Sequence, residues 1–344
     1  MTQIQKWRKR TVTVLLATFA ASALAGCSNS SNADSGATDA PESTQVQLLL
    51  PANLGLNWAA FLVAQERFWP EMGLDVEGVG TDGSSAVVQQ IVAGNGTYGV
   101  AGASAVYSGV VEGADLVGIA TMTHDDVARL SVPADNEAIQ SPADLEGLAI
   151  GITSAGDGSL PIVAAVMEAA GVTEYEEPIV GGGGPAVANA FETGQIQAFA
   201  HGVSDVAGME IAADMPLRSI MPDQFVGLPG NVLVVPTAAL DDPAQSEIAF
   251  KLASGWLQAA EWLLDNLEEG TEIACASVPE ACTDQATADL AVELASQTTE
   301  PLDDQLGYTD PAKAETLITA VLGDITIPIS DVLTNDYLDQ ISQQ

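Results

Sequence analysis

The sequence predicts an α/β protein of two lobes, with two chain crossings between them. Three observations support this prediction. After an N-terminal leader and linker, roughly 300 residues remain, which is long enough for two separate cores. Short apolar runs alternate with amphipathic stretches in two successive sets, a pattern typical of βαβ units. A later apolar run at 231–235 precedes a mostly helical end, which indicates a return to the first lobe.

The first 26 residues are interpreted as a secretory signal peptide. Four of the nine Lys and Arg residues precede residue 11, and an apolar run at 12–19 follows, too short to span a bilayer. Small residues then lead to Leu24-Ala25-Gly26-Cys27, which resembles a bacterial lipobox. The resemblance implies that cleavage leaves a lipid on Cys27 and anchors the protein to the outside of a cell membrane. An ordinary secretory signal with an incidental cysteine is the alternative.

Residues 27–44 are predicted to be a lipidated flexible linker, because their Ser, Asn, Asp, Ala and Gly cannot bury apolar surface. The whole chain has 9 Lys and Arg against 47 Asp and Glu. Removal of the four basic residues of the leader leaves 5 minus 47, a formal charge of −42. Such a surface disfavours nucleic acid and anionic lipid as partners. Solubility, including solubility in salt, and attraction of a cationic ligand are two explanations for this acidity.

The first lobe is predicted over residues 45–131. Pro70 and Gly73 are expected to close its first helix, and Gly94 its second. Residues 81–84 are typical of a turn and helix cap. The predicted strands are 46–50, 74–79, 98–101 and 116–122, and the predicted helices are 58–69, 85–93 and 104–111.

The second lobe is predicted over residues 132–230, and the chain returns to the first lobe over 231–344. The two crossings between lobes suggest a hinge. The second lobe is expected to contain strands 148–153, 177–180, 198–200 and 217–220 with helices 160–170, 185–192 and 203–213. Beyond strand 231–235 the predicted helices are 245–267, 284–296, 310–322 and 331–341.

Cysteine usage fits an oxidising compartment. With Cys27 assigned to lipid, Cys275 and Cys282 remain, separated by a six-residue loop that contains Pro279. Two such cysteines predict a disulfide that closes a local loop. A metal site would need further ligands, and no His lies nearby in the sequence.

Four stretches of the chain carry a resemblance to a known family. The stretches are 66–77 (ERFWPEMGLDVE), 87–100 (VVQQIVAGNGTYGV), 141–151 (SPADLEGLAIG) and 191–198 (FETGQIQA). In these stretches the chain resembles the bacterial ABC-importer substrate-binding proteins that serve nitrate, alkanesulfonates, taurine and thiamine-pyrimidine precursors. Thr97 and Gln197 stand at positions where that family usually has Asp.

The resemblance implies a type II-like periplasmic-binding-protein fold, with a hinge and a ligand cleft between the lobes. It also implies a small-molecule ligand, an ABC transporter permease as partner and a role in nutrient import. We expect a monomer that needs no cofactor and no metal.

The candidate ligand-binding residues follow predicted strands. Most have a simpler explanation: core packing for Trp58, helix capping for the serines, a flexible turn for the glycines, a structural role for either histidine, and a solvated or helix-capping role for Asp205. The first-lobe candidates are Asn57, Trp58, Ser84, Ser85, Ser104, Thr123 and His124; the second-lobe candidates are Asp157, Ser159, Gly182, Gly183, His201 and Asp205.

Arginine, the usual residue for an anion pocket, is scarce here. None of Arg67, Arg129 and Arg218 sits clearly in a loop after a predicted strand, which favours a neutral or weakly basic planar ligand such as a pyrimidine. A sulfonate, taurine or nitrate held at helix N-termini is the alternative.

An enzyme is disfavoured, because G-x-S-x-G and H-E-x-x-H motifs are absent. His201, Asp205 and a serine could form a hydrolase triad on paper. The cysteine-rich metal motif of a fungal relative is also missing. A surface adhesion protein fits a repeated two-lobed α/β pattern poorly.

Overall fold

The computed structural model describes residues 43–125, 128–154, 159–181, 184–202, 215–299 and 305–344. Their strands form two sheets, one of five strands in the order β2-β1-β3-β9-β4 and one of four in the order β6-β7-β5-β8. The strands are β1 Thr44–Leu50, β2 Leu74–Gly80, β3 Tyr98–Gly102, β4 Leu116–Thr121, β5 Arg129–Pro133, β6 Ile150–Gly151, β7 Ala198–His201, β8 Leu217–Ser219 and β9 Asn231–Pro236.

The first sheet is mostly parallel. β1 pairs in parallel with both β2 and β3, with Leu48 opposite Gly78 and Tyr98. β9 enters between β3 and β4 and runs antiparallel to both. β4 therefore runs in the same direction as β3, and the carboxyl ends of β1 to β4 meet at one edge of the sheet, together with the start of β9.

The second sheet differs from the expectation in two ways. β5 was not anticipated from the sequence, yet it pairs with both β7 and β8. The strand expected at 177–180 is wrong: only one isolated bridge occurs there, between Ile152 and Ile179. Pro178 cannot donate a backbone hydrogen bond, which limits pairing on its side of the chain.

Helices cover both sheets and make up most of the chain after β9. Their bounds are α1 Ala59–Val63, α2 Trp69–Glu71, α3 Ser84–Val92, α4 Ala103–Val111, α5 Leu160–Ala169, α6 Gly184–Glu192, α7 Thr237–Asp241, α8 Pro243–Asp265, α9 Leu267–Ser277, α10 Gln285–Gln297, α11 Pro311–Leu322 and α12 Leu338–Ile341. None of the helices in the described ranges is long and apolar enough to cross a membrane. The expected helix 203–213 lies outside these ranges.

Two helix boundaries differ from the expectation. The first helix was expected to close at Pro70, but it continues to Glu71, with a π-helical turn over Ala64–Phe68. A π-turn shifts the backbone hydrogen bonds and accommodates a proline that has no N–H. The helix expected over 245–267 ends at Asp265, and a separate helix, α9, begins after Asn266.

The core of the first lobe contains an aromatic cluster. Trp69 and Trp256 are almost fully buried, with ring centroids 6.5 Å apart, and Phe61 packs edge-on against both. Trp69 Nε1 donates to the carbonyl of Leu252 at 3.1 Å. A Cβ at Gly255 would lie 2.3 Å from Trp69 Cδ1, so this close approach requires glycine.

Two segments join the sheets, one between β4 and β5 and one between β8 and β9. They pair with each other through an antiparallel bridge between His124 and Pro229. β5 begins at Arg129, before the expected boundary at residue 131, and the lobe limits themselves stay a prediction.

Cys275 and Cys282 form a disulfide in the structure, with their Cα atoms 5.6 Å apart. The bond joins the end of α9 to the short 3-10 turn that follows it. The oxidation state of this pair in the cell stays a prediction.

Candidate ligand-binding site

The loops that follow the strands of the first sheet are joined to their neighbours by hydrogen bonds along one edge of the sheet. Thr81 donates both its backbone N–H and its hydroxyl to the carbonyl of Leu50, which joins the ends of β1 and β2. The backbone N–H of Gly102 donates to Ser84 Oγ at 2.9 Å and ties the start of α3 to the end of β3. Ligands of open α/β sheets bind outside such carboxyl ends.

These hydrogen bonds continue along the edge to β9 and β4. Ala103 N–H donates to the carbonyl of Gly230 at 2.8 Å, and Gly230 N–H donates to the carbonyl of Thr123 at 2.8 Å. Thr123 Oγ1 accepts the N–H of Asn231 at 2.9 Å and is buried. We call the four side chains along this edge, Ser84, Ser104, Thr123 and His124, the polar row.

His124 ends the polar row. Its side chain is 7% exposed, and its Nδ1 atom is buried without a hydrogen-bond partner. Burial lowers the pKa of His124 to about 4, so the imidazole is neutral at neutral pH. Its backbone N–H donates to the carbonyl of Thr298, the residue that follows α10.

The loop after β1 places Asn57 and Trp58 differently. Asn57 is exposed on a short 3-10 turn, whereas Trp58 is 5% exposed and belongs to the core of the first lobe. The ring of Trp58 meets Trp256 edge-on at 5.9 Å. The indole N–H groups of both tryptophans are buried without a hydrogen-bond partner. Contact of Trp58 with a ligand stays a prediction.

Helix α10 joins these features, and sequence reasoning did not place it at the site. It packs against the turn that carries Trp58, and Thr298 at its end binds the backbone of His124. Leu294 of α10 also shares a buried apolar cluster with Phe199 of β7. The helix therefore reaches the tryptophan turn, the polar row and the second sheet.

On the second sheet, the ring of His201 is fully buried at the end of β7. Its Nε2 lies 2.9 Å from Ser131 Oγ on β5, and its Nδ1 lies 2.8 Å from the carbonyl oxygen of Gly202. Phe199 stacks on the ring at 5.5 Å. Sequence reasoning missed Ser131 because β5 was not anticipated as a strand.

Of the remaining candidates, two lie within the described residues and the others lie outside them. Ser159 is fully buried at the start of α5, and Ser85 is exposed on α3. Four further ligand candidates and the lipidation candidate lie outside the described residues: Asp157, Gly182, Gly183, Asp205 and Cys27.

Two of the five basic residues after Cys27 are paired with glutamates. Arg67 binds Glu269 and lies over the ring of Trp262, 4.4 Å from its centroid. Lys251 binds Glu247 at 2.7 Å within α8. Neither Arg67 nor Lys251 lies on a loop that carries a side chain of the polar row.

The other three basic residues lie on the second sheet or on α11. Arg218 donates to the carbonyl of Ile139 at 2.8 Å, and Lys313 donates to the carbonyl of Asp223. Arg129 stands opposite His201 in the β5–β7 register. The polar row itself consists of three hydroxyl groups and a neutral imidazole.

The described residues hold no cluster of three or more His, Cys, Asp or Glu that could bind a metal ion. A cavity of about 640 Å³ lies between α5, α11 and the turn Asp223–Phe225. Its walls share no residue with the polar row, so it is a separate feature of the surface.

Similar structures show the fold. The aliphatic sulphonate-binding protein SsuA of Escherichia coli has a TM-score of 0.56 and 15% identity, over 82% of this chain and 85% of that one. The nitrate-binding protein NrtA of Synechocystis PCC 6803 has a TM-score of 0.57 and 14% identity, over 89% and 90%. The ligand-binding component of an ABC-type import system from Staphylococcus aureus has a TM-score of 0.60 and 10% identity, over 88% and 100%.

These likenesses confirm the predicted α/β, two-lobed periplasmic-binding-protein fold. No curated protein matches the chain in sequence. The profile of a family described as NMT1/THI5 like matches residues 56–269, which is more than half of the 344 residues. The protein therefore belongs to the NMT1/THI5-like family.

Proposed function

We propose that this protein is the solute-binding component of an ABC importer, which binds a small organic molecule between its lobes and delivers it to a permease. The observation that carries the proposal is the polar row at the carboxyl ends of the first sheet, beside the two crossings to the second. Closure of the lobes around a solute is a population shift that contacts to both lobes can drive. Membership of the NMT1/THI5-like family supports this function.

The ligand that the site favours is uncharged or weakly basic and planar, such as a thiamine pyrimidine precursor. Four of the five cations after Cys27 bind glutamates or backbone carbonyls, and none of those partners belongs to the polar row. A buried anion without a cation is costly unless several N–H groups surround it. Hydroxyls and a neutral imidazole suit the donors and acceptors of a heterocycle.

A small anion is the second candidate. The N-termini of α3 and α4 both lie along the polar row, and helix N-termini attract negative charge. A sulfonate and a nitrate are the ligands named for two of the similar structures.

A thermal-shift screen tests both candidates, because a bound solute raises the melting temperature. The screen contains a thiamine pyrimidine precursor, alkanesulfonates, taurine and nitrate, and calorimetry then gives the affinity of the solutes that shift. A shift with the pyrimidine alone supports the first candidate, and shifts with anions alone overturn it. No shift with any of these solutes contradicts both.

Ser104→Ala then locates the site, with Ser108→Ala on the same helix as its matched control. Loss of a hydrogen bond to the solute should weaken binding by about tenfold in the first variant and leave the second unchanged. Equal affinities in both variants would remove Ser104 from the site.

We infer that the protein acts by binding and not by turnover. Ser131 is 3% exposed and His201 is fully buried, so this serine–histidine pair is closed to a substrate ester or peptide. A fluorophosphonate probe, which labels reactive serines, should leave the protein unmodified. Labelling at Ser131 would revive the hydrolase alternative.

The proposed location is the outer face of a cell membrane, with a lipid on Cys27 and a flexible linker before β1. A tether of this kind keeps a solute binder at high local concentration near its permease. Cys27→Ala should abolish incorporation of labelled fatty acid and release the protein into the medium, whereas Cys275→Ala should retain the lipid. A monomeric mass in light scattering would agree with the expected single-chain state.

A further inference from the structure

The two crossings between the sheets form one hydrogen-bonded ribbon. Gly230 N–H donates to the carbonyl of Thr123 at 2.8 Å, and Asp125 N–H donates to the carbonyl of Leu228 at 3.0 Å. The bridge between His124 and Pro229 lies between these two bonds. The two crossing segments are therefore expected to move as one unit when the lobes move, and not as two independent segments.

The side chain of Asp125 adds a second set of bonds to this ribbon. Its carboxylate accepts the backbone N–H of Gly227 at 2.7 Å and that of Leu228 at 3.0 Å. One residue of the first crossing thus holds three backbone groups of the second. Within the described ranges, Asp125 is also the only non-glycine residue with a positive φ, 55°. Such a conformation is costly for most side chains and tolerated by Asp and Asn.

The surroundings of Asp125 come from both lobes. Burial raises the pKa of its carboxyl above the ordinary value. The N–H groups of Gly227 and Leu228, followed by the charges of Arg129 on β5 and Lys313 on α11, offset part of this rise. The ribbon packs against Ile162 of α5 and Leu317 of α11, and the void between them, about 10 Å³, is no larger than one water molecule.

We propose that Asp125 is a positioning residue that locks the two crossings into one joint and thereby limits how far the lobes open without solute. The inference rests on the proposed function, because a joint matters for a protein that closes on a solute. A loose joint gives the empty protein more open arrangements, and closure then costs more conformational freedom. Asp125 thus acts on solute affinity without touching the solute.

The test uses the protein without solute, so it does not depend on ligand identity. In Asp125→Ala, amide exchange at Gly227 and Leu228 should become about tenfold faster, the effect of one lost hydrogen bond. The radius of gyration from small-angle X-ray scattering should increase. Asp125→Asn keeps an acceptor and tolerates the left-handed backbone, so it should restore most of both properties.

Asp144→Ala is the matched control. Asp144 also accepts two backbone N–H groups, from Gln140 and Ser141, but all three residues belong to one cap. This variant should leave exchange at Leu228 and the radius of gyration unchanged. Unchanged exchange and radius in Asp125→Ala would overturn the proposal. If Asp125→Ala does not fold, Asp125→Gly replaces it, because glycine tolerates the positive φ but removes both side-chain hydrogen bonds. A wild-type radius of gyration and wild-type amide exchange at Gly227 in Asp125→Gly would then overturn the proposal.

Discussion

Ser131 and His201 are hydrogen-bonded across neighbouring strands of the second sheet, with 2.9 Å between Oγ and Nε2. The opposite ring nitrogen, Nδ1, faces the carbonyl oxygen of Gly202, which can only accept. In the neutral ring, Nδ1 therefore carries the hydrogen and Nε2 accepts the hydroxyl of Ser131. The bond orients a fully buried imidazole at the end of β7.

Ser131→Ala should lower the free energy of unfolding by about 1–3 kcal/mol, because a buried ring nitrogen loses this donor. Ser254→Ala is the matched control: Ser254 is buried too, but its partner Gln258 is half-buried and can turn to water. Urea unfolding measures both variants. A smaller loss in Ser131→Ala than in the control would show that the bond does not stabilise the second sheet.

Trp58→Ala should lower the free energy of unfolding by about 3–5 kcal/mol, because the ring lies in the aromatic core. Trp58→Phe keeps a ring there and removes the buried N–H, so it should fold at a smaller cost. Calorimetry of Trp58→Phe with a solute from the screen tests whether that N–H binds the solute, with Trp256→Phe as control. Equal affinities in the two variants would assign Trp58 to the core alone.

Protonation of His124 should destabilise the protein in mild acid. Burial lowers its pKa from 6.5 to about 4, so the unfolded chain binds a proton that the folded protein excludes. The resulting stability is complete above pH 6.5 and disappears as the pH falls towards 4, on the order of 3 kcal/mol in all.

His124→Gln removes this titration, and the same carboxylates remain in both proteins. Between pH 6.5 and 4, its free energy of unfolding should therefore fall less steeply than that of the wild type in urea titrations. Parallel pH profiles would contradict the lowered pKa.

Replacement of Cys275 and Cys282 by serine should lower the free energy of unfolding by about 2–3 kcal/mol, because the bond closes only a short loop. Solute affinity should not change, since the bond joins α9 to the turn after it and neither cysteine is a candidate ligand-binding residue. Mass spectrometry of the wild type without reductant should give a mass two hydrogens below that of the reduced chain. A reduced mass in protein isolated from the cell envelope would contradict the disulfide.

The sequence predicted most strands of the first lobe because their apolar runs are continuous and end at clear turns. It did not predict β5, where Arg129 and Ser131 interrupt the apolar pattern. Ser131 is buried in the middle of the second sheet, and His201, far along the chain, supplies its hydrogen-bond partner. Such a position is defined by tertiary contact, and local propensity carries no signal for it.

The candidate site shows the same limit. Loops after strands indicated Ser84, Thr123 and His124, and the structure joins these residues along one edge. The position of α10 against Trp58 and His124 had no sequence signal, because an amphipathic helix does not specify which surface it covers. The burial of Trp58 was equally undecidable, since a tryptophan after a strand suits both a core and a binding surface.

The insertion of β9 between β3 and β4 sets an order of assembly. Among the residues that the structure describes, all strands of the second sheet lie between Arg129 and Ser219, so these strands are present in a chain still lacking its last third. The first sheet has a gap beside β4 until residues 231–236 emerge and fill it. Pairing across so many residues is slow, and it leaves strand edges exposed in the meantime. The lobe synthesised first is therefore the lobe whose sheet is completed last.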